Sequence, residues 1–347
     1  MRAGILESVE HIVVKDVPDP KLDRGMVIIR VKVCSVCGTD VRTYRYGHPS
    51  ITLPQILGHE IAGEIVSVAK DITDYRVGQR VAVTPTIACG TCFYCRKDQH
   101  IYCQNRSTIG YQLPGGYAEY VRVPSRGVEY GIINQIAETL SFEEASLAEP
   151  LSCCLRAQRA CEVSSGNTVV VIGGGPIGIM HCRLAVVNNA SKVILVEKET
   201  KRLEQVNLDG IDSVVDSGKC NPEAEIAVLT EGRGADVVIV ACSSDEAQVQ
   251  AVSLAGKGGR IDFFAGLAPG PSNISVDSNL IHYRELSVQG SHGSTPHDNK
   301  EALDMLAKKV IDVSDLITHT FPLDSIEEAF YFKENRYGIH VGISPLA

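Results

Sequence analysis

The chain has 347 residues, of which 44% are hydrophobic and 22% charged, and a formal net charge of −9 at pH 7. These are globular proportions, and the length suffices for two domains that each bury a core. The negative charge argues against nucleic acid as a partner, because a phosphate backbone binds basic surfaces. The sequence has no long apolar run and no apolar signal segment near its start, so we expect no membrane span and a cytoplasmic location.

The first half of the chain has the mixed apolar and polar pattern of a β-rich domain. Ser141, with Glu144 three residues later, forms a capping box that predicts a helix over 140–151. Strands are predicted at residues 2–6, 11–16, 26–33, 61–68 and 120–123.

A glycine-rich turn is predicted within 168–180, which reads TVVVIGGGPIGIM. An apolar run of β-forming residues precedes Gly173, Gly175 and Gly178, and an apolar stretch of helical length follows. In the spacing G-x-G-x-x-G the first glycine permits a tight turn, the second lets the backbone approach a pyrophosphate, and the third lets the helix pack against the strand. The segment therefore predicts a dinucleotide site at a helix N-terminus.

An acidic residue, Glu197, ends the next predicted strand, 19 residues after Gly178. A carboxylate at this spacing can accept hydrogen bonds from a ribose 2′-hydroxyl and repels a 2′-phosphate. This favours NAD over NADP as the cofactor. Lys198 and Arg202 lie nearby and keep NADP as the alternative.

Beyond Pro150 the predicted strands and helices alternate, which is typical of a doubly wound parallel sheet of the α/β class. Glycine-rich clusters at 256–259 and 265–270 are predicted to be turns at strand ends, where such a sheet places cofactor contacts. The predicted strands are 169–172, 192–196, 213–215, 236–241, 260–265 and 286–289, and the predicted helices include 200–209 and 245–255.

The last part of the chain does not continue this alternation, and we expect it to return to the first domain. The elements predicted there are helices at 297–309 and 323–335 and a strand at 338–343. The first domain would then be discontinuous. The predicted domains are a β-rich domain at 1–151 with 290–347, and a dinucleotide-binding domain at 152–289.

Four cysteines lie within 15 residues in the spacing C-x2-C-x2-C-x7-C. Thiolates this close together can form the closed tetrahedral shell of a structural zinc. An iron–sulfur cluster also takes four cysteines, but the spacing and the lack of a trailing proline favour zinc. The four are Cys89, Cys92, Cys95 and Cys103. Seven others stand in mostly apolar surroundings and are interpreted as small buried hydrophobic residues: Cys34, Cys153, Cys154, Cys161, Cys182, Cys220 and Cys242.

Three further short motifs contain candidate catalytic residues. The motif CGTD holds Cys37 and Thr39, GHE holds His59 and Glu60, and EPL begins with Glu149. Each motif is weak alone, because a lone cysteine, histidine or glutamate is more often structural than a ligand. Together with the four-cysteine segment, and with VIGGGPIG followed by an acidic residue, their order resembles the zinc-containing medium-chain dehydrogenase/reductase family over essentially the whole chain. The closer likeness is to its sorbitol (polyol) dehydrogenase branch.

The resemblance implies a GroES-like catalytic domain with a structural zinc lobe, and a catalytic zinc held by Cys37, His59 and a carboxylate. That carboxylate is Glu60, Glu149 or each of them in a different state. Such a zinc keeps one position open, at which an alcohol loses its proton more readily, and Thr39 is placed to pass that proton on. A nicotinamide cofactor accepts the hydride. The positions that match cofactor contacts of the family are Ile177, Glu197, Arg202 and Leu267, with the stretch Ser291–Gly293.

The chain departs from the family pattern around the substrate. Arg42 stands where many relatives carry a histidine, and Thr43 stands where sorbitol dehydrogenases have a tyrosine. An Arg-Tyr pair of those enzymes aligns with Gly293 and Ser294, so sorbitol itself is in doubt. Because arginine can pair with a carboxylate or phosphate, we expect a polyol, sugar or sugar acid that carries an anion. A solvated surface charge is the alternative for Arg42.

The expected function is an NAD-dependent and zinc-dependent dehydrogenase of secondary alcohols, with two zinc ions per chain and a small-molecule substrate. Within the family, L-threonine dehydrogenase and simple alcohol dehydrogenase activities are the alternatives. A zinc-free reductase on the same fold is another alternative. The presence of Cys37, His59 and Glu60 argues against it. A non-catalytic binding protein is the alternative outside enzymes. The resemblance also implies a homodimer or homotetramer, joined at the sheet edge near 286–290.

Overall fold

The structure is a computed structural model that describes residues 1–268, 270 and 272–346. It divides into two compact units, Met1–Ser152 with the segment from Gly293 onward, and Cys153–His292. The boundaries predicted from the sequence, after residues 151 and 289, lie within three residues of these. Pro269, in the predicted turn cluster at 265–270, and Ala347, at the end of the predicted first domain, lie outside the described residues.

Where a strand or helix was predicted, its bounds in the described residues mostly lie within a few residues of the predicted ones. In this part of the chain, no helix is both long enough and apolar enough to cross a lipid bilayer. The strands are β1 (Arg2–Ser8), β2 (His11–Asp16), β3 (Val27–Ser35), β4 (Gln55–Ile56), β5 (Glu60–Val68), β6 (Arg80–Val83), β7 (Thr86–Ile87), β8 (Ser107–Thr108), β9 (Tyr120–Val123), β10 (Ile133–Gln135), β11 (Thr168–Ile172), β12 (Lys192–Glu197), β13 (Ser213–Asp216), β14 (Ala235–Val240), β15 (Ala255–Phe263), β16 (Ser287–Gly290), β17 (Ile317–Pro322) and β18 (His340–Ser344). Of these strands, β4, β6, β7, β8, β10 and β17 were not predicted. The helices are α1 (Gly38–Tyr46), α2 (Ser125–Tyr130), α3 (Phe142–Ser146), α4 (Ala148–Ala160), α5 (Pro176–Val187), α6 (Pro222–Leu229), α7 (Asp245–Leu254), α8 (Ser278–Arg284), α9 (Pro296–Ala307) and α10 (Ile326–Glu334).

The first unit is built on a sheet with the strand order β10-β6-β5-β3-β18-β17, in which β9 also pairs with β3. The central strand β3 pairs antiparallel with β5, β9 and β18. Seven of its nine residues are buried, as expected for a strand that is covered on both faces. β18 belongs to the C-terminal segment and runs parallel to β17, so the two ends of the chain share one sheet.

The second unit contains a sheet with the order β13-β12-β11-β14-β15-β16, and its strand pairs are parallel. The predicted doubly wound fold is therefore confirmed. All five residues of β11 are buried, which explains the unbroken apolar run in the sequence. The strand order reverses at β11, and ligands of such sheets bind at this switch point. β16 lies at the sheet edge, where a strand near 286–290 is predicted.

One predicted turn cluster is wrong. Residues 256–259 lie inside β15 rather than in a turn between elements. The register between β14 and β15 shifts across these glycines, so they form a bulge. A Cβ on Gly256 would lie 2.3 Å from the carbonyl oxygen of Arg233, and the glycine therefore reflects a close approach of two backbones. The bulge lies at the amino ends of the strands, away from the carboxyl ends that lead to the glycine-rich turn.

Some helix predictions also need correction. The predicted helix over 140–151 is divided at Leu147 into α3 and α4, although its capping box at Ser141 is present. The predicted helix at 200–209 is a shorter 3-10 turn, Thr200–Gln205. Two cysteines interpreted as buried, Cys220 and Cys242, are only partly buried. Helices α1, α2, α6 and α8, which have nine residues or fewer, were not predicted.

Candidate metal centres and cofactor turn

Strand pairing brings Cys37, His59 and Glu60 together. Glu60 begins β5 and lies opposite Ser35, the last residue of β3, and Cys37 follows β3 as the N-cap of α1. One ligand atom from each of the three lies within 4.8 Å of the other two. His59 is 6% exposed and Glu60 is 1% exposed. The three residues therefore form a metal-ligand cluster of one thiol, one imidazole and one carboxylate.

The imidazole of His59 is oriented by Asp40, which ends the CGTD motif and was not predicted as part of the site. Asp40 Oδ1 lies 3.3 Å from His59 Nδ1. Asp40 Oδ2 accepts hydrogen bonds from the Cys37 backbone N–H at 3.1 Å and from the Tyr117 hydroxyl at 2.8 Å. A metal-binding histidine usually directs its second ring nitrogen to such a carboxylate. This arrangement leaves Nε2 of His59 as the nitrogen able to bind a metal.

The cluster concentrates negative charge in a buried place. Burial raises the pKa of the Cys37 thiol, and the charge of Glu60 raises it further. Burial alone would lower the pKa of His59, but the charges of Asp40 and Cys37 outweigh it and hold that pKa well above its usual value. A divalent cation would relieve this imbalance, because one thiolate and one carboxylate nearly neutralise its two charges. The donor set fits a zinc ion with three protein ligands and one open position.

The other residues predicted for this site lie around the cluster. Glu149 is in the first turn of α4 and is not a member of the ligand group. Burial is the main cause that raises the pKa of Tyr111 to about 12, and the charge of Glu149 is one of the smaller contributions in the same direction. Thr39 is in the first turn of α1, and its Oγ1 accepts a hydrogen bond at 3.1 Å from Arg42 Nη2. Of the two predicted carboxylates, the geometry therefore favours Glu60 as a ligand.

Two residues of the C-terminal segment extend this cluster outward and were not predicted. The first contacts Glu60, and the second contacts the first. His340, in β18, is 3% exposed, and its Nε2 lies 2.9 Å from Glu60 Oε2. Lys333, in α10, places its Nζ 2.5 Å from His340 Nδ1 and donates to the Ile339 carbonyl at 3.3 Å. His340 lies 280 positions after Glu60 in the sequence. No local pattern distinguishes either residue, so only the folded sheet reveals them.

In the four-cysteine lobe, the distances between the sulfur atoms match those of a tetrahedral zinc site. Cys92 Sγ lies 3.5 Å from Cys95 Sγ and 3.9 Å from Cys103 Sγ. Cys89 Sγ lies 3.9 Å from Cys95 Sγ. Zn–S bonds of about 2.3 Å at tetrahedral angles place the sulfurs about 3.8 Å apart. Backbone N–H groups of Thr91 and Cys92 donate to Cys89 and lower its pKa to about 5, which favours the thiolate form that binds zinc.

The glycine-rich turn connects β11 to α5. A Cβ on Gly178 would lie 1.7 Å from the carbonyl oxygen of Gly173, so helix and strand pack too closely there for any side chain. A Cβ on Gly175 would meet no atom within 4 Å. This open space adjoins the N-terminus of a 12-residue helix, whose N–H groups and dipole favour a phosphate. The turn therefore fits a dinucleotide pyrophosphate.

Glu197, the last residue of β12, is hydrogen-bonded to the backbone of this turn. Its Oε2 accepts a hydrogen bond from the Gly174 backbone N–H, and its Oε1 accepts one from the Glu199 backbone N–H at 2.7 Å. The residue is 7% exposed, so a fixed carboxylate lies beside the glycine-rich turn. The other predicted cofactor contacts are Ile177 in α5, Arg202 in the 3-10 turn, Leu267 beyond β15, and Ser291, which donates to Asp262 Oδ2 at 2.6 Å.

Two family models match the chain, an alcohol dehydrogenase GroES-like domain over residues 23–130 and a zinc-binding dehydrogenase over residues 176–308. A sorbitol dehydrogenase of Halalkalibacterium halodurans is 30% identical over 97% of this chain and 96% of its own length. An L-threonine 3-dehydrogenase of Bacillus subtilis is 31% identical over 92% of this chain and 90% of its own length. A D-arabitol-phosphate dehydrogenase of Enterococcus avium is 30% identical over 91% and 88%, respectively.

A solved structure from Sinorhizobium meliloti 1021 has the same fold. It is described as a zinc-binding dehydrogenase bound to NADP, matches with a TM-score of 0.90 at 30% identity, and covers 99% of each chain. The chain is therefore a zinc-type alcohol dehydrogenase-family oxidoreductase, and it belongs to the zinc-containing medium-chain dehydrogenase/reductase family, which includes the sorbitol dehydrogenase branch.

Proposed function

We propose that the chain transfers a hydride between NAD and a secondary alcohol of the polyol, sugar or sugar-acid class. The observation that carries this proposal is the buried cluster of Cys37, His59 and Glu60. Three donors of this kind are typical of a catalytic zinc, whereas a structural zinc takes four. The relatives named for sorbitol and for D-arabitol phosphate support the polyol class.

The roles of the side chains follow from their contacts. Cys37, His59 and Glu60 would hold the catalytic zinc, and the four cysteines of the lobe would hold a second, structural zinc. When bound, zinc supplies Lewis-acid activation of the alcohol and the nicotinamide accepts the hydride. Thr39 Oγ1 would accept the proton that the alcohol loses while its own hydroxyl proton passes to solvent water, so that no net charge remains on the hydroxyl. Arg42 Nη2 donates a hydrogen bond to that oxygen at 3.1 Å and thereby orients the hydroxyl.

We place the anionic group of the substrate beside Arg42. His48 is half-buried, and its pKa is lowered by burial and by the charges of Arg42 and Arg106. The ring of His48 contacts Tyr111 at 5.0 Å between centroids, and Tyr111 contacts His59 at 5.7 Å. Tyr111 and His48 therefore extend outward from His59. Arg42 lies in α1, which begins directly after the cysteine of the metal-ligand cluster. Carboxylate and phosphate suit an arginine fork in such a place.

A substrate panel tests the function. We expect zinc-loaded protein to reduce NAD with at least one polyol, sugar or sugar acid, and anionic members to have a kcat/KM about tenfold above their neutral counterparts. One charge pair at a partly exposed site contributes roughly 1–2 kcal/mol, which corresponds to that ratio. The measurement is the initial rate of NADH formation, before and after chelation of the zinc at the open site.

Two outcomes would contradict the proposal. Comparable turnover of neutral and anionic polyols would remove the substrate role of Arg42. Undiminished NADH formation after chelation would exclude zinc-dependent catalysis. L-Threonine belongs in the same panel because of the L-threonine 3-dehydrogenase relative, and a simple alcohol serves as the comparison. If no alcohol is oxidised, the chain would be a non-catalytic binding protein on this fold.

We propose NAD rather than NADP as the cofactor, because of Glu197. Its carboxylate is fixed by two backbone N–H groups beside the glycine-rich turn, and a fixed negative charge there repels a ribose 2′-phosphate. The NADP bound to the Sinorhizobium meliloti structure makes the opposite preference a concrete alternative. In that alternative, Lys198 and Arg202 are the basic residues that would bind the 2′-phosphate of NADP.

Replacing Glu197 by glutamine should reduce the preference for NAD over NADP by about tenfold or more. The substitution removes the charge but keeps an oxygen that can accept a backbone hydrogen bond, and two like charges a few ångströms apart cost at least about 1 kcal/mol. The measurement is kcat/KM for each cofactor with the same alcohol. E204Q is the matched control, since Glu204 is exposed in the following 3-10 turn. An unchanged cofactor ratio in E197Q would contradict this assignment.

We also propose that the protein is a cytoplasmic homodimer or homotetramer. The edge strand β16 supports joining of two copies there, because no strand of the described residues pairs with its outer side and the backbone of an edge strand can extend a sheet. Sedimentation of the purified protein at several concentrations measures the number of chains. A monomer at all concentrations would overturn this part of the proposal.

A further inference from the structure

The described residues contain a buried chain of contacts behind Glu60 that the proposed roles do not use. Glu60 Oε2 lies 2.9 Å from His340 Nε2, and His340 Nδ1 lies 2.5 Å from Lys333 Nζ. Glu60 and His340 are 1% and 3% exposed, whereas Lys333 is half-buried. The contacts thus extend from the metal-ligand cluster to a lysine near the surface of the first unit.

The chemistry of these groups fixes the position of one proton. A lysine ammonium is a donor with no acceptor, so the imidazole nitrogen facing Lys333 must be the acceptor. The ring proton of neutral His340 is then on Nε2, the nitrogen that faces Glu60. An Nε2–H group donates to a carboxylate oxygen, and this contact favours the ionised form of Glu60. Burial would raise the pKa of Glu60, but the hydrogen bond from His340 and the charges of His59 and Lys333 lower it overall.

We infer that His340 and Lys333 are positioning residues for Glu60: Lys333 fixes the tautomer of His340, and His340 holds Oε2, so that Glu60 presents a single oxygen, Oε1, to the metal. A carboxylate that is free to rotate can instead bind a metal through both oxygens and occupy its open position. The pair therefore keeps Glu60 a one-oxygen ligand and the fourth position available. This inference rests on the proposed metal site but not on the identity of the alcohol.

The fold explains why these residues come from the end of the chain. β18 lies between β3 and β17 in the sheet, and β3 leads to Cys37 on one side and pairs with the strand that begins with Glu60 on the other. α10 packs against the same sheet and carries Lys333. The C-terminal segment thus supplies the outer contacts of a ligand set whose inner members are all in the first 60 residues.

The experiment measures zinc affinity and cobalt spectra in the absence of alcohol and NAD. In H340L we expect zinc at the Cys37 site to bind about 10- to 100-fold more weakly, the usual cost of removing a partner of a metal ligand, with zinc in the cysteine lobe unchanged. H340Q retains a side-chain N–H donor and should recover most of the affinity. K333M keeps the aliphatic stem of a half-buried residue, should fold normally, and should weaken binding by a smaller factor of about 3 to 10.

The cobalt spectrum distinguishes positioning from a merely structural role. With cobalt in place of zinc at the Cys37 site, the ligand-field bands report coordination number, so they should change in both H340L and K333M. H319Q is the matched control, because His319 is an exposed histidine on the neighbouring strand β17 and should leave the bands unchanged. If H340L does not fold, K333M still tests the inference through the same bands.

The outcomes separate this inference from the proposed function. Native affinity and native bands in H340L, or in K333M alone where H340L does not fold, would overturn the inference, as would parent protein that binds zinc only in its cysteine lobe. If H340Q were as weak as H340L, the N–H donor would not be the cause and the inference would also fail. If the variants behave as expected but the parent oxidises no alcohol, the positioning role stands and the proposed dehydrogenase activity fails.

Discussion

Replacing Cys37 by serine should lower kcat/KM for alcohol oxidation by about 10³-fold or more and reduce the zinc content from two ions per chain to one. A hydroxyl is a far poorer zinc ligand than a thiolate, and the remaining donors, His59 and Glu60, do not complete a three-ligand site. Loss of the metal removes several kcal/mol of transition-state stabilisation, and each 1.36 kcal/mol corresponds to about a tenfold change in rate. Initial rates and metal analysis of the same preparation measure the two effects.

C220S is the matched control for this prediction. Cys220 is a partly buried cysteine of the second unit whose Sγ contacts the Asp216 carbonyl at 3.1 Å, a contact that a serine hydroxyl can also make. It should keep two zinc ions and full activity. Two zinc ions in C37S, or a loss of activity below about tenfold, would show that Cys37 does not hold the catalytic metal.

Two of the residue groups predicted from the sequence depend on local geometry alone. The four lobe cysteines span 15 residues, and the sulfur distances of 3.5–3.9 Å follow from a loop that short. The turn from Gly173 to Gly178 is likewise one strand, one turn and one helix. In both cases the residue types and their short spacing along the chain are enough to bring the groups together, whatever the rest of the fold.

The other parts of the site depend on pairing between distant strands. Cys37 and Glu60 are close because Ser35 lies opposite Glu60, and their sequence motifs gained meaning only from the family resemblance. His340 lies 280 residues from Glu60, in a segment where nothing distinguishes it from a surface histidine. The glycines at 256–259 were predicted as a turn because glycine signals both turns and close backbone contacts. The approach of Arg233 to Gly256 shows that the second cause applies.

Two glycine-to-alanine substitutions in the cofactor turn should separate folding from cofactor binding. A Cβ on Gly178 would lie 1.7 Å from the Gly173 carbonyl oxygen, so G178A must push α5 away from β11. We expect a loss of about 1–3 kcal/mol or more in unfolding free energy, despite the better helix propensity of alanine. NADH binding should weaken as well, because the turn is displaced. Thermal or urea unfolding and a fluorescence titration with NADH measure the two effects.

G175A is the second substitution, and it should weaken cofactor binding without affecting stability. The backbone of Gly175 has φ −74° and ψ −179°, which alanine adopts readily, and its Cβ would meet no protein atom within 4 Å. The unfolding free energy should therefore stay within about 0.5 kcal/mol of the parent, whereas NADH should bind about tenfold more weakly or worse, because the added methyl group occupies the space of the pyrophosphate. If G175A bound NADH as tightly as the parent, the open space beside Gly175 would not be the pyrophosphate site. If G178A were as stable as the parent, the close packing of α5 on the turn would not be what excludes a side chain there.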